Sequence, residues 1–199
     1  MATVSFDPMQ TSAPQNSFLL SQQGYVAGAF LDDPSSRMWL LSGRIASSVT
    51  GAVYGGLPIT EGINAPGENA FGNTLTLAAS NSAITAFTVF NQAHNMMIVP
   101  GNSAQMATAG MTISYFRLGS NARIVVPVDT SLIATLDSGA TNQQVSWDFT
   151  NNKLIAYSST VGALACKVLA VDTNSALVEV DSTTGALSWT TGAVAIIQI

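Results

Sequence analysis

An all-β fold is predicted from three observations. Apolar residues fall in short pieces rich in β-branched and aromatic side chains, Gly, Asn, Pro and Ser separate those pieces, and near the C-terminus apolar and polar residues alternate. The 199 residues are 47 % hydrophobic but only 9 % charged, against roughly 25 % charged in an average soluble domain. Such a chain buries a sizeable core, which excludes disorder over most of its length. Ser, Thr, Asn and Gln together number 64, so short neutral groups supply the polarity that Lys and Glu normally provide.

Taken in order, residues 1–23 mix Pro, Gln and Ser with isolated apolar residues such as Phe6, Phe18, Leu19 and Leu20. Neither helical nor alternating period is present, and the expectation is an extended N-terminal arm, read either as a frayed terminus or as a strap that lies on a partner with the aromatic and leucine side chains as anchors. Residues 24–125 then form a β-rich domain. Its strands are expected at Val53-Tyr54, Leu75-Thr76-Leu77, Ile84 to Phe90, Met96 to Val99, Met111 to Leu118 and Arg123 to Val128. Pro100-Gly101-Asn102 and Gly119-Ser120-Asn121 supply turns, because Pro fixes φ while Gly and Asn tolerate positive φ. A short helix is expected to start at Asp33-Pro34, an N-cap residue followed by Pro at the first helical position, with Gly43 ending it. A second helix of one or two turns is expected from Asp129 to Leu136, with Gly139 beyond it.

Residues 126–199 are expected to form a small antiparallel β-barrel or sandwich, whose closure would remove exposed edges. Val145, Trp147 and Phe149 alternate with polar residues, Asn151-Asn152 turns the chain, and Leu154 to Tyr157 returns as a hairpin. Ala165 to Val171 and Ala176 to Val180 read as a second pair around Asp172-Thr173-Asn174-Ser175. Thr183-Thr184-Gly185 and Thr190-Thr191-Gly192 each read as a turn followed by a strand.

The formal charge of −5 comes from 11 acids against 6 basic residues. Clustered Lys and Arg are lacking, so no nucleic acid is expected as a partner. No basic residue precedes Arg37 and no apolar run approaches the roughly 18 residues of a membrane span. A soluble protein without an export address, folding in a reducing cytoplasm, is therefore expected. The single cysteine, Cys166, excludes an intrachain disulfide and reads as a buried strand residue.

Catalytic, cofactor-binding and metal-ligating residues are all expected to be none. His94, the only histidine, lies in a loop sequence, and G-x-S-x-G is absent, the nearest approach being Gly101-Asn102-Ser103-Ala104-Gln105. Asp32-Asp33, and Glu61 and Glu68 flanking a Gly- and Pro-rich loop, fall short of the oxygen set that calcium requires. Neither a P-loop nor a G-x-G-x-x-G sequence occurs. Trp147 and Trp189 read as core residues, whereas Trp39, beside Met38 and Leu40-Leu41, would suit an apolar surface stripe against a partner.

Gly24-Tyr25-Val26-Ala27-Gly28, then Leu31-Asp32-Asp33-Pro34-Ser35-Ser36-Arg37, then Gly55-Gly56, and later Gln143-Gln144-Val145-Ser146-Trp147-Asp148-Phe149, form a set spread over most of the chain from residue 24. In that order they resemble the structural cement, or head decoration, proteins of tailed bacteriophages. The resemblance implies an all-β, non-enzymatic virion protein on the outer surface of the capsid. Its partner would be the major capsid protein, whose neighbouring subunits it joins, and it would act as a homo-oligomer, dimer or trimer. Arg37, Arg44, Arg117 and Arg123 all precede residue 126, so residues 24–125 are expected to face the capsid and the acidic C-terminal part to project outward. The alternative is a carbohydrate-binding or adhesin module of a phage tail, with Trp39 or Tyr54 stacking on sugars.

Overall fold

The computed structural model describes residues 25–31, 38–64, 73–89, 106–136, 144–181 and 184–199. The expected arm, the helix start at Asp33, the strand from Met96 to Val99 and Gly139 lie outside the described residues. The rest is all-β, as expected, with one short helix and a single 3-10 turn among the described residues.

Five strands close into a barrel in the order β1-β3-β2-β4-β5. They are β1 (Leu41–Ile45), β2 (Pro58–Gly62), β3 (Thr74–Leu77), β4 (Ala86–Val89) and β5 (Thr112–Arg117). β1 runs parallel to β3 and antiparallel to β5, with Leu41 opposite Tyr115. Opposed residues share a face and neighbours along a strand alternate. Ile59, Leu75, Ala86 and Tyr115, with Leu41 and Ile113, accordingly form one inward cluster. Phe87, Val89 and Phe116 point the other way and join the main core outside the barrel. Gly43 does not end a helix here; it lies inside β1, where an added Cβ would stand 2.8 Å from the Asn73 carbonyl oxygen and 2.8 Å from Leu75 Cγ. The missing side chain is what lets β3 pack close.

The C-terminal strands do not supply the closed barrel. They form an open sheet β6-β10-β9, from β6 (Arg123–Pro127), β9 (Lys167–Val180) and β10 (Leu187–Gln198), and a hairpin of β7 (Val145–Asp148) and β8 (Lys153–Ala156). Val145, Trp147 and Leu154 of the hairpin share a core with Ile124, Val126, Ala195 and Ile197 of the sheet, so these two elements pack as layers. The helix α1 (Thr130–Leu136) buries Leu132 in the same core, and Asp129 opens it by accepting from the Ser131 N–H at 2.9 Å. β6 spans the boundary expected at residue 125, and the main core joins Phe30, Phe87 and Phe116 to Trp147, Leu132 and Ile197.

Two expected strand pairs are instead single long strands. Asp172 does accept the Asn174 N–H at 2.7 Å, the local bond of a turn. The chain nevertheless continues, because Ser175 is opposite Gly192 while Asp172 is opposite Val194, which leaves two residues of β9 facing one of β10. Turn chemistry has been absorbed as a β-bulge. Thr190 and Thr191 likewise stay in the ladder, and the Leu177 side chain covers Gly192, reaching to 2.5 Å from where its Cβ would be.

Residues 25–31 fasten this sheet to the barrel. Ala27 N–H donates to Ala176 O and Ala176 N–H to Tyr25 O, both at 2.8 Å, on the edge of β9. Gly28 N–H then donates to Val125 O at 2.7 Å and Leu31 N–H to Arg123 O at 2.8 Å, on the edge of β6. Phe30 meets Phe116 of the barrel edge to face at 5.4 Å.

Candidate interaction surface

β2 and β5 deliver Glu61, Tyr115 and Arg117 to one place, although Glu61 and Arg117 are 56 residues apart in sequence. The Glu61 carboxylate accepts from Arg117 through Nε at 2.7 Å and Nη2 at 2.6 Å, from the Tyr115 hydroxyl at 2.5 Å, and from Asn73 Nδ2. A fork of guanidinium N–H groups on both carboxylate oxygens is the strong form of this contact. The Arg117 bonds, aided by Tyr115 and Asn73, hold the Glu61 carboxyl down at about 2 despite its burial. Burial first, and Glu61 second, push the Tyr115 hydroxyl up to about 12. With its lone pairs engaged, Glu61 works as a structural clamp across the barrel and offers no free carboxylate to a cation. Among the described residues no group of His, Cys, Asp and Glu is placed to hold a metal.

Exposed apolar residues adjoin the strands that carry this clamp and its neighbours. Met38 and Trp39, 86 % and 62 % exposed, lead into β1 just ahead of Leu41, the residue opposite Tyr115. Ile63, 92 % exposed, follows Glu61 by two residues. Leu40, the residue after Trp39, packs against the main core, so the expected apolar stripe resolves into an anchored stem with two exposed side chains. Met106, Met111 and Leu77 add further exposed apolar surface in the same part of the chain. Met111 stands at the other end of β1, where its carbonyl accepts the Ile45 N–H, so the Met38 and Trp39 pair is the candidate contact surface at the Leu41 end.

The other singled-out residues separate clearly. Tyr54 is buried among Ile45, Val53 and Leu57, and that burial raises its pKa, so it presents no face to a sugar. Trp147 is fully buried against Phe87, edge to face at 5.5 Å, and Trp189 packs on the Tyr54 cluster. Cys166 lies just before β9, not within a strand, half-buried, with its thiol pushed up to about 12 by burial. Arg123 is exposed on β6 and Arg117 is committed to Glu61. Arg37, Asp32-Asp33, Glu68 and His94 lie outside the described residues. The C-terminal acids serve their own loops: Asp148 accepts the Thr150 and Asn151 N–H groups, Asp181 that of Thr184, and Asp129 pairs with Lys153 at 2.6 Å.

Nothing local in the sequence marks the Glu61 clamp. Its partners are assembled only by barrel closure.

The clamp carries a pH signature. A folded-state pKa held below the unfolded value gives stability that is complete above about pH 4.5 and is lost as pH falls toward 2. Because Arg117 is half-exposed, the expected contribution is screened to about 1–2 kcal/mol. Urea unfolding of wild type and Glu61→Gln at pH 3 and pH 7 should show the stability gap narrowing at pH 3; a constant gap would contradict the assignment.

No protein-family model, curated protein or solved structure matches this chain.

Proposed function

We propose that this protein is a non-enzymatic structural component of a tailed-phage head. In this reading it sits on the outer surface of the capsid and cements neighbouring major capsid protein subunits. The observation that carries the proposal is the exposed apolar pair Met38 and Trp39 leading into β1, with Ile63 exposed two residues beyond a Glu61 carboxylate already satisfied within the fold. Large aromatic anchors set among neutral polar neighbours are the residues that dominate protein interfaces, and methionine adapts to a partner's relief. A surface poor in charge avoids the cost of stripping water from ions when it is covered. Many such contacts repeated over a lattice add up to firm attachment without one tight site.

The residues 24–125 side is assigned to the capsid because Met38, Trp39, Ile63, Met106 and Met111 all belong to it. The arm, residues 1–23, is assigned a second contact with the shell.

Co-sedimentation with empty capsid shells tests both assignments. Trp39→Ala should weaken binding at least about 30-fold, the effect of losing an interface hot spot, and deletion of residues 1–23 should lower occupancy further. Unchanged occupancy for both variants would sink the proposal. Binding to a glycan array that is lost with Trp39→Ala, together with silence on shells, would replace it with the tail-adhesin reading.

A further inference from the structure

The outer edge of β9 carries the next inference. In the sheet order β6-β10-β9 this strand is an edge, and among the described residues only 25–27 pair along it, around Ala176. The run Lys167-Val168-Leu169-Ala170-Val171-Asp172 has β10 on one side and no described strand on the other. A long open edge is a template for another strand.

The facing pattern of this run is unusual. Ile196 is opposite Ala170 and Ile197 is opposite Val168, so the ladder skips Leu169. In an unbroken strand Leu169 and Ala170 would point to opposite faces. Here both are exposed, Leu169 at 38 %, while Val168 on one side is buried in the main core and Val171 on the other packs against it. Lys167 is exposed and Asp172 half-exposed, each adjoining a core-facing valine. The sequence of faces is therefore outer, core, outer, outer, core, outer, which reads the same in both directions.

We propose that this edge is a two-fold interface with a second copy of the same chain, paired antiparallel about an axis between Leu169 and Ala170. In that register Lys167 lies opposite Asp172 of the partner, Val168 opposite Val171 and Leu169 opposite Ala170, each pair on a common face. Without the skipped residue the same register would set outer residues against core residues. The bulge thus makes the charge pairing and the apolar pairing compatible. Opposite charges at both ends select this partner and alignment, and isologous pairing closes the assembly at two copies. The inference concerns self-association alone and stands or falls separately from the capsid proposal.

Sedimentation velocity of the full chain over a concentration series should give a monomer–dimer equilibrium. Lys167→Glu, which sets like charges at both ends, should raise the dimer Kd about tenfold. Combining it with Asp172→Lys should restore most of the affinity. Asp172 also holds the Asn174 N–H, so a second measurement guards against misfolding of that variant. Isotope-labelled and unlabelled wild-type chains are mixed and treated with a carbodiimide, and mass spectrometry should find Lys167 joined to Asp172 between chains of different label. A monomer at all concentrations, an oligomer indifferent to Lys167→Glu, or the absence of the mixed cross-link would each overturn the proposal.

Discussion

Gly28→Ala is expected to remove the folded state or to cost at least about 4 kcal/mol. An added Cβ would stand 2.4 Å from the Gly55 carbonyl carbon and 2.6 Å from its Cα, both backbone atoms, and φ at this residue is +83°. Neither side can yield cheaply. Gly28 N–H is bonded to Val125 O in β6, and Gly56 N–H, one residue beyond the contact, is bonded to Thr88 O in β4. The two segments cross where the C-terminal sheet is fastened to the barrel, so a shift would break bonds on both sides. Gly51→Ala is the control, since a Cβ there meets nothing within 4 Å, and it should stay within about 0.5 kcal/mol of wild type. Thermal and urea unfolding of the two variants decide the matter, and a Gly28→Ala protein that melts within a few degrees of wild type would refute the crossing.

Asn81→Ala is the second large effect. Asn81 is buried at the 3-10 turn Asn81–Ala83 before β4. Its amide donates to the Gly162 carbonyl at 2.9 Å and the Val161 carbonyl at 3.2 Å, and its Oδ1 accepts the Trp147 N–H at 3.1 Å. One side chain thereby ties the barrel to the hairpin and to the loop that follows it. Truncation strands the buried Trp147 N–H and takes one donor from each carbonyl, of which Gly162 O keeps the Ser146 hydroxyl at 2.6 Å, and the expected loss is about 1–3 kcal/mol. Asn81→Asp separates hydrogen bonding from size. It keeps the acceptor for Trp147 but sets a carboxylate against two carbonyl oxygens, which raises the pKa of the new acid. A raised carboxyl pKa means stability present at low pH and lost as pH rises, so Asn81→Asp should be closer to wild type at pH 4 than at pH 7 in urea unfolding. Equal losses at both pH values would refute the placement of the amide.

Both sites show why some of this protein is legible in its sequence and some is not. The β7–β8 hairpin is readable because its alternation and its Asn151-Asn152 turn are local; Asn152 has the positive φ of 51° that such a turn needs. The helix from Asp129 is readable because its cap lies two residues from the N–H it serves. Asp172-Thr173-Asn174-Ser175 misleads because the same Asx bond closes a turn or a bulge, and the choice is made by β10, which holds Ser175 opposite Gly192. β1 and β2 escape notice because Gly43 and Pro58 look like breaks. Gly43 instead makes room for β3, and Pro58 opens its strand, where a missing N–H costs little.

Among the candidate surface residues, Trp39 beside Met38 is suggestive in sequence, but exposure is a property of the folded body. Tyr54 belongs to the same residue class and is buried. The glycines at positions 28 and 55 prove to be where two backbones cross. Their spacing in sequence conveys nothing of that contact.

What the sequence by itself determined is the all-β class, because pleated half-buried strands leave a local imprint of branched and aromatic residues with period two. It also determined the low charge, which follows from composition alone. The tertiary structure decided which strands close the barrel, that Glu61 meets Arg117 and Tyr115, and that Trp39 stays outside while Tyr54 goes in. Those outcomes depend on pairing between residues far apart along the chain, and a one-dimensional pattern holds no record of which distant edge a strand will meet.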